Sequence, residues 1–291
     1  MIAQTFGIFG SSWNLPVEYD EVIEYAESQG YTLPSITQQV AQAQLIEALQ
    51  QADIWDDLQT FYVFANNGSA EFGNINWKNP GSFNALIRLD EVYSVAPTWV
   101  SNQGYDADLS NASYIGTNKT YNNSSSPVTD LNYSIFGWAY SYRTPSGGGD
   151  TGLFGLRPPT NPSRYTWVNP NYGSLVDPYN AQFDISDYNS PFENIVLDGP
   201  NKTGLWQLDI SGTNPNPVKK VYYQGSTIAT GTGGTDLLPT SPQFSELIFL
   251  AAGNHVGYSK DVIAIGGDGV SLGDTKAAAL NTAVSNYMNS L

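Results

Sequence analysis

The sequence predicts a mainly β protein, a sandwich with a helical hairpin before it and a single helix after it. Three observations predict this. From about residue 61 to residue 270, short apolar or alternating runs are broken by Gly, Pro, Asn and Ser, the pattern of many strands joined by turns. Residues 16–58 carry apolar positions at helical spacing instead. Helical spacing returns after Asp274.

Residues 1–15 form an uncharged, largely apolar segment too short to fold alone. It is expected to act as an anchor, packed on this chain's core or on another subunit. Residues 16–60 are expected to be helical. Pro16 suits a first helical turn. Tyr19, Val22, Ile23 and Ala26 mark one buried face, and Gly30 stops the helix. Ser35 with Gln38 three residues on reads as a capping box, followed by a stripe of Leu45, Ala48, Leu49 and Ala52.

Residues 61–291 are expected to form the sandwich and the helix that closes it. Strands are predicted at 62–65, 133–142, 152–157, 164–169, 194–199, 204–212 and 245–253. The run YSIFGWAYSY alternates Phe136, Trp138, Tyr140 and Tyr142 on one face with Ile135, Gly137, Ala139 and Ser141 on the other. SELIFLAAG is continuously apolar and so buried on both faces. VKKVYYQGSTIATGTG, residues 218–233, reads as a hairpin turning at Gln224-Gly225. TNKTYNNSSSPV, residues 117–128, reads as an exposed loop. Ala277, Leu280, Val284, Tyr287 and Leu291 share one face of the last helix, with Asp274 as its cap or first-turn acid.

Composition narrows the function. The 291 residues include 27 acids and 11 bases, a net charge of −16, which disfavours nucleic acid and anionic membranes. Only 13% of residues are charged, so Asn, Ser, Thr, Gly and Tyr make the surface, as in extracellular β proteins and viral coats. No base precedes Lys78, while ten acids do, which reads as a solvated acidic helical surface or, alternatively, as an acidic patch that docks on a basic partner. There is no cysteine, hence no disulfide scaffold, thiolate nucleophile or cysteine-bound zinc. No apolar run approaches the length of a membrane span, and MIAQTFGIFGSSW lacks the basic region of a signal peptide.

The order of motifs then carries a resemblance. GLWQLDISG, the hairpin VKKVYYQGSTIATGTG, SELIFLAAG and DVIAIGGDGVSLGDTKAAALNTAVSNYMNSL follow one another as in the laminin-G/concanavalin-A-like jelly roll. The version it resembles is that of phage virion proteins, whose C-terminal strand-to-helix junction AIGGDGVSLGDTKAAALNTAV is similar to. EYAESQGYTLPS, IWDDLQTFYVFANNGSAEFGNINWKNP and WVSNQGYDADLSNASYIGTN fit the same order, so the resemblance spans about residues 18–291. It implies a non-enzymatic fibre or appendage subunit at the virion surface, with other virion proteins and sister subunits, a trimer favoured, as partners. It implies no catalytic residues. The alternatives are a free carbohydrate-binding or glycoside-hydrolysing jelly roll and a capsid decoration protein without a ligand.

The residues themselves agree with a binding role. A glycosidase needs two carboxylates roughly 5–10 Å apart. Glu193 and Asp198 fall on opposite faces of an ideal strand, and Asp209 stands alone in its strand. His255, the only histidine, lies in a turn. GGGD at 147–150 and GTGG at 231–234 lack the lysine and helix of a phosphate loop. Asp106, Asp108 and Asn111 offer oxygen ligands that could take calcium, at a spacing that meets no EF-hand pattern, so no metal residue is assigned. Trp138, Tyr140, Tyr142 and Trp167 are the candidate ligand-binding residues, for stacking on a host glycan, although an alternating aromatic ladder is more often core. Its small-residue face, Gly137, Ala139 and Ser141, is the candidate for a shallow groove.

Overall fold

The computed structural model describes residues 15–89, 95–107, 113–121, 132–141, 152–157, 164–174, 177–187, 193–196, 203–212, 218–232, 245–250 and 261–291. Pro16 accepts from the Tyr19 and Asp20 amides and opens α1 (Val17–Ser28). Gly30 ends it in the left-handed region at φ 71°, letting Tyr31 N donate to Ala26 O. Ser35 caps α2 (Ile36–Gln51), its Oγ accepting from Gln38 N at 3.4 Å. The reciprocal half of the capping box does not form. Ser35 N donates to Asn67 Oδ1 at 2.8 Å, and Gln38 instead bonds Asn102 and Asn67. Two loops reach this helix end and supply the groups that the box would have supplied.

Leu45 and Leu49 are buried in α2 as expected, joined by Ala43 and Ile46. Gln42 is buried beside them because its amide is used at both ends. It accepts from Tyr19 Oη at 2.6 Å and donates to Tyr287 Oη at 3.1 Å. Tyr287 Oη in turn donates to Ala65 O at 2.6 Å. One buried chain of hydrogen bonds thus ties both N-terminal helices to the last one.

After a 3-10 turn at Trp55–Asp57 the elements are β1 (Leu58–Val63), α3 (Ala70–Gly73), β2 (Leu86–Leu89), β3 (Thr98–Val100), β4 (Gly104–Asp106), β5 (Ser113–Tyr121), β6 (Asn132–Ser141), β7 (Phe154–Arg157), β8 (Arg164–Ser174), β9 (Asp177–Asp187), β10 (Glu193–Val196), β11 (Gly204–Ser211), β12 (Val218–Tyr223), β13 (Ser226–Thr232), β14 (Ser245–Phe249), β15 (Val262–Gly269) and α4 (Gly273–Met288). One sheet runs β13-β12-β11-β6-β15-β4-β3, with β1 sharing the outer edge of β15 beyond β4. The other runs β10-β9-β8-β7-β14-β5-β2. Every pairing is antiparallel, so the protein is a mainly β sandwich with N- and C-terminal helices.

Among the described residues there are two large cores. Ile135, Ala139, Phe154, Trp206, Leu208, Leu247 and Phe249 fill the space between the sheets. Val22, Ile46, Leu49, Phe61, Phe136, Leu205, Leu280 and Val284 fill the space between the first sheet and the helices. β15 lies between them, and its glycines make room on both sides. A Cβ on Gly266 would run into the Phe249 ring, and one on Gly267 would lie 2.6 Å from Phe136 Cζ.

The segment expected as a loop at 117–128 begins as strand. Thr117–Tyr121 belongs to β5, with Thr117 Oγ1 donating to Leu247 O at 3.0 Å and Lys119 buried. Its Asn-Lys-Thr composition hid the alternation. β14 is buried on both faces, Leu247 and Phe249 inward and Ile248 against Tyr114. Among the described residues no helix is long and apolar enough to cross a membrane.

The β12–β13 turn has both central residues in the left-handed region, Gln224 at φ 50° and Gly225 at φ 75°, the geometry that fits the twist of a two-residue hairpin. The turn also packs on α4. A Cβ on Gly225 would lie 2.9 Å from Ala278 Cα and 3.0 Å from Asn281 Cβ. Gly225→Ala is expected to destabilise by about 1–2 kcal/mol from backbone strain alone, read as a lower urea midpoint. An unchanged midpoint would show that residue 225 is not held in the left-handed region.

Candidate functional site

The aromatic ladder of β6 splits between core and surface. Phe136 is fully buried in the helix-side core and meets Phe61 at 6.1 Å between ring centroids. Trp138 is half-buried against the same core, on a strand position paired with Leu205 and Ile265. Tyr140 is 39% exposed. Tyr142 lies outside the described residues. Trp167 belongs to the other sheet, its backbone paired with Gly155 and Asp184, and its side chain is outside what is described. Trp138 and Tyr140 on β6 and Trp167 on β8 therefore stand on different sheets. Trp138 and Tyr140 share one strip, whose outermost ring offers a flat face for stacking.

The opposite face of β6 is not a groove. Ile135 and Ala139 point into the space between the sheets, and a Cβ on Gly137 would lie 2.7 Å from Phe154 Cδ1. The small residues are there to admit a ring from the facing sheet.

Spacing along one strand could not show what surrounds Asp209. Its buried carboxylate sits under the start of α4. It accepts from Ser271 Oγ at 2.5 Å, Leu272 N at 2.7 Å and Gly273 N at 3.1 Å. Those amides have no partner within the helix, so a strand residue does the work of a cap. Burial raises the Asp209 carboxyl above the usual carboxylate range, while the three donors and Lys220 pull it down.

In the first turn of the helix, Asp274 faces the hairpin. Its Oδ1 accepts from Lys220 Nζ at 2.7 Å, Tyr222 Oη at 2.8 Å and Thr227 Oγ1 at 3.1 Å. The bonds from Lys220 and then Tyr222 hold Asp274 below the usual range. Burial, then the bond to Asp274, pushes the Tyr222 hydroxyl up. Asp274 is thus the expected first-turn acid, and the capping falls to Asp209. Both carboxylates spend their oxygens on joining β11, β12 and β13 to α4.

The remaining sequence candidates are placed as follows. Asp106 ends β4, while Asp108 and Asn111 lie outside the described residues. His255 and Asp198 also lie outside them, and Glu193 begins β10. Among the described residues no three His, Cys, Asp or Glu side chains are grouped to hold a metal ion.

No family model and no curated protein matches the chain. Solved structures do, at low identity. Domain 4 of AbnA, a GH43 extracellular arabinanase from Geobacillus stearothermophilus, in complex with arabinotriose, is similar with a TM-score of 0.47 and 16% identity, over 77% of this chain and 98% of that one. Trypanosoma rangeli sialidase is similar with a TM-score of 0.49 and 10% identity over 85% of this chain, and the match spans 40% of the sialidase. The CBM2 module of the evolved Dit of Lactobacillus casei BL23 phage J-1 is similar with a TM-score of 0.36 and 10% identity, over 73% of this chain and 96% of that one. These likenesses concern the fold.

Proposed function

We propose that this chain is a non-enzymatic structural protein of a phage virion, a surface fibre or appendage subunit whose sandwich binds a glycan of the host surface. The observation that carries the reading is the order of motifs from residue 18 to residue 291, ending in the AIGGDGVSLGDTKAAALNTAV junction. An uncharged polar surface and the absence of cysteine suit a coat protein. The Trp138–Tyr140 strip supplies the aromatic face that sugar recognition uses.

Peptide mass spectrometry of purified particles from cells carrying this gene tests the virion role. Peptides of this chain at levels comparable with the coat proteins are expected. Their absence from the particles, with the protein free in the lysate, would refute it. Binding is tested by titrating the purified chain with host surface polysaccharide. Tyr140→Ala is expected to weaken that binding about five- to tenfold, the ~1 kcal/mol of one aromatic face. Equal affinity in the variant would remove Tyr140 from the site.

A further inference from the structure

The inward-facing residues of a sandwich edge strand are covered when the sandwich is closed beside them. Ile87 of β2 is not. β2 pairs Leu86 with Gly116 and Ile87 with Ile115. Ile115 is fully buried between the sheets, so Ile87 faces inward too, yet it is 39% exposed. Leu86, on the outward side, is 43% exposed. Just before the strand, Phe83 is 45% exposed, its ring centroid 5.8 Å from Lys119 Nζ.

Phe83 is held there against its own preference. Its φ is 56°, which a bulky residue rarely adopts. The buried Tyr62 hydroxyl fixes it by donating to Phe83 O at 2.6 Å. Natural edges are blunted by charge. The only charged residue in 81–89 is Arg88, on the outward face with Leu86, and its guanidinium reaches along the sheet to Asn118 of β5. Among the described residues β5 is the only strand paired with β2.

We propose that this edge receives residues 1–14 of a second copy of the chain, which add a strand beside β2 and cover Phe83, Leu86 and Ile87. MIAQTFGIFGSSWN has no proline and no charged side chain, and it carries Ile2, Phe6, Ile8 and Phe9. Extended, it reaches about 45 Å beyond Leu15. Charge favours a contact of this kind between copies. Two chains of net charge −16 repel except where neither presents acid. The first acid is Glu18, and the strand with its approach, residues 81–89, has none, Asp90 and Glu91 following it. Main-chain pairing supplies the affinity and alternate apolar side chains supply the register. Reciprocal exchange closes a dimer, and one-way exchange around a ring closes a trimer. The inference stands apart from the virion role.

The test is the solution mass by light scattering over a range of concentrations. The full chain is expected to associate. The chain lacking residues 1–14, and the full chain with Ile87→Lys, are both expected to be monomers with unchanged near-ultraviolet circular dichroism. A labelled synthetic peptide of residues 1–14 is expected to bind the shortened chain, with Ile87→Lys raising its dissociation constant at least tenfold. A full chain that stays monomeric throughout overturns the proposal. So does a peptide that fails to bind, or an Ile87→Lys chain that associates like the parent.

Discussion

Gly266→Val is expected to lower stability by about 3 kcal/mol or more, the upper end of what overpacking a core does. β15 runs between both cores, and the Cβ would fall on the Phe249 ring. The ring cannot simply turn away. It sits 5.7 Å from Tyr62 and 5.6 Å from Phe64 between centroids, both edge-on. The strand cannot retreat either, because β6 flanks it on one side and β1 and β4 on the other. Guanidinium denaturation reads the loss directly. Gly273→Ala is the contrast. It too has a left-handed φ, 65°, but nothing lies within 4 Å of its Cβ. Only backbone strain of about 1–2 kcal/mol is expected there. Equal effects of the two substitutions would mean that crowding at β15 does not limit the fold.

Asp209→Ala is expected to lose about 2–4 kcal/mol, because it strands two helix amides and the Ser271 hydroxyl in a buried place. Asp209→Asn keeps one acceptor oxygen and is expected to recover part of the loss. The pH dependence separates charge from shape. The folded carboxyl titrates above its ordinary value of 3.8, raised by burial. The folded state then holds this proton more tightly than the unfolded chain does. Its contribution is therefore fully present below 3.8 and declines as pH rises through the folded value. Asp209→Asn is expected to lack that decline. Asp274 has the opposite sign. Its depressed carboxyl contributes above 3.8, and the contribution is lost as pH falls through its folded value. Denaturation midpoints measured from pH 3 to pH 7 on both proteins check this. Parallel curves would mean that the Asp209 carboxyl binds its proton equally in the folded and the unfolded chain.

Local patterns were the legible part. Gly30, the Ser35 cap, the Gln224-Gly225 turn and the Ala277–Tyr287 face are each written within a few neighbouring residues. Apolar continuity was enough to bury β14 on both sides. What escaped depends on partners far along the chain. Asp209 looks solitary in its strand, because the amides that it caps come some sixty positions later. Gln42 looks like a break in an apolar stripe until Tyr19 and Tyr287 reach it. Thr117–Tyr121 has loop composition, and its strand character comes from Leu247. The β6 ladder alternates visibly, but the second core under Phe136 and Trp138 exists only once helices from both ends of the chain cover that sheet. Shared residue type likewise does not put Trp138 and Trp167 on one sheet.

β15 sets the order of events during synthesis. It is an interior strand of its sheet and also the last strand made. β1 has left the ribosome long before its partner exists, for Leu58 waits for Gly269. β6 waits as well, and the helix-side surface stays bare until α4 follows. Until then the emerging chain holds unpaired strand edges and apolar faces, the state in which slow, long-range β proteins aggregate. Without β15 the first sheet falls into three pieces, β13-β12-β11-β6, β4-β3 and β1 alone.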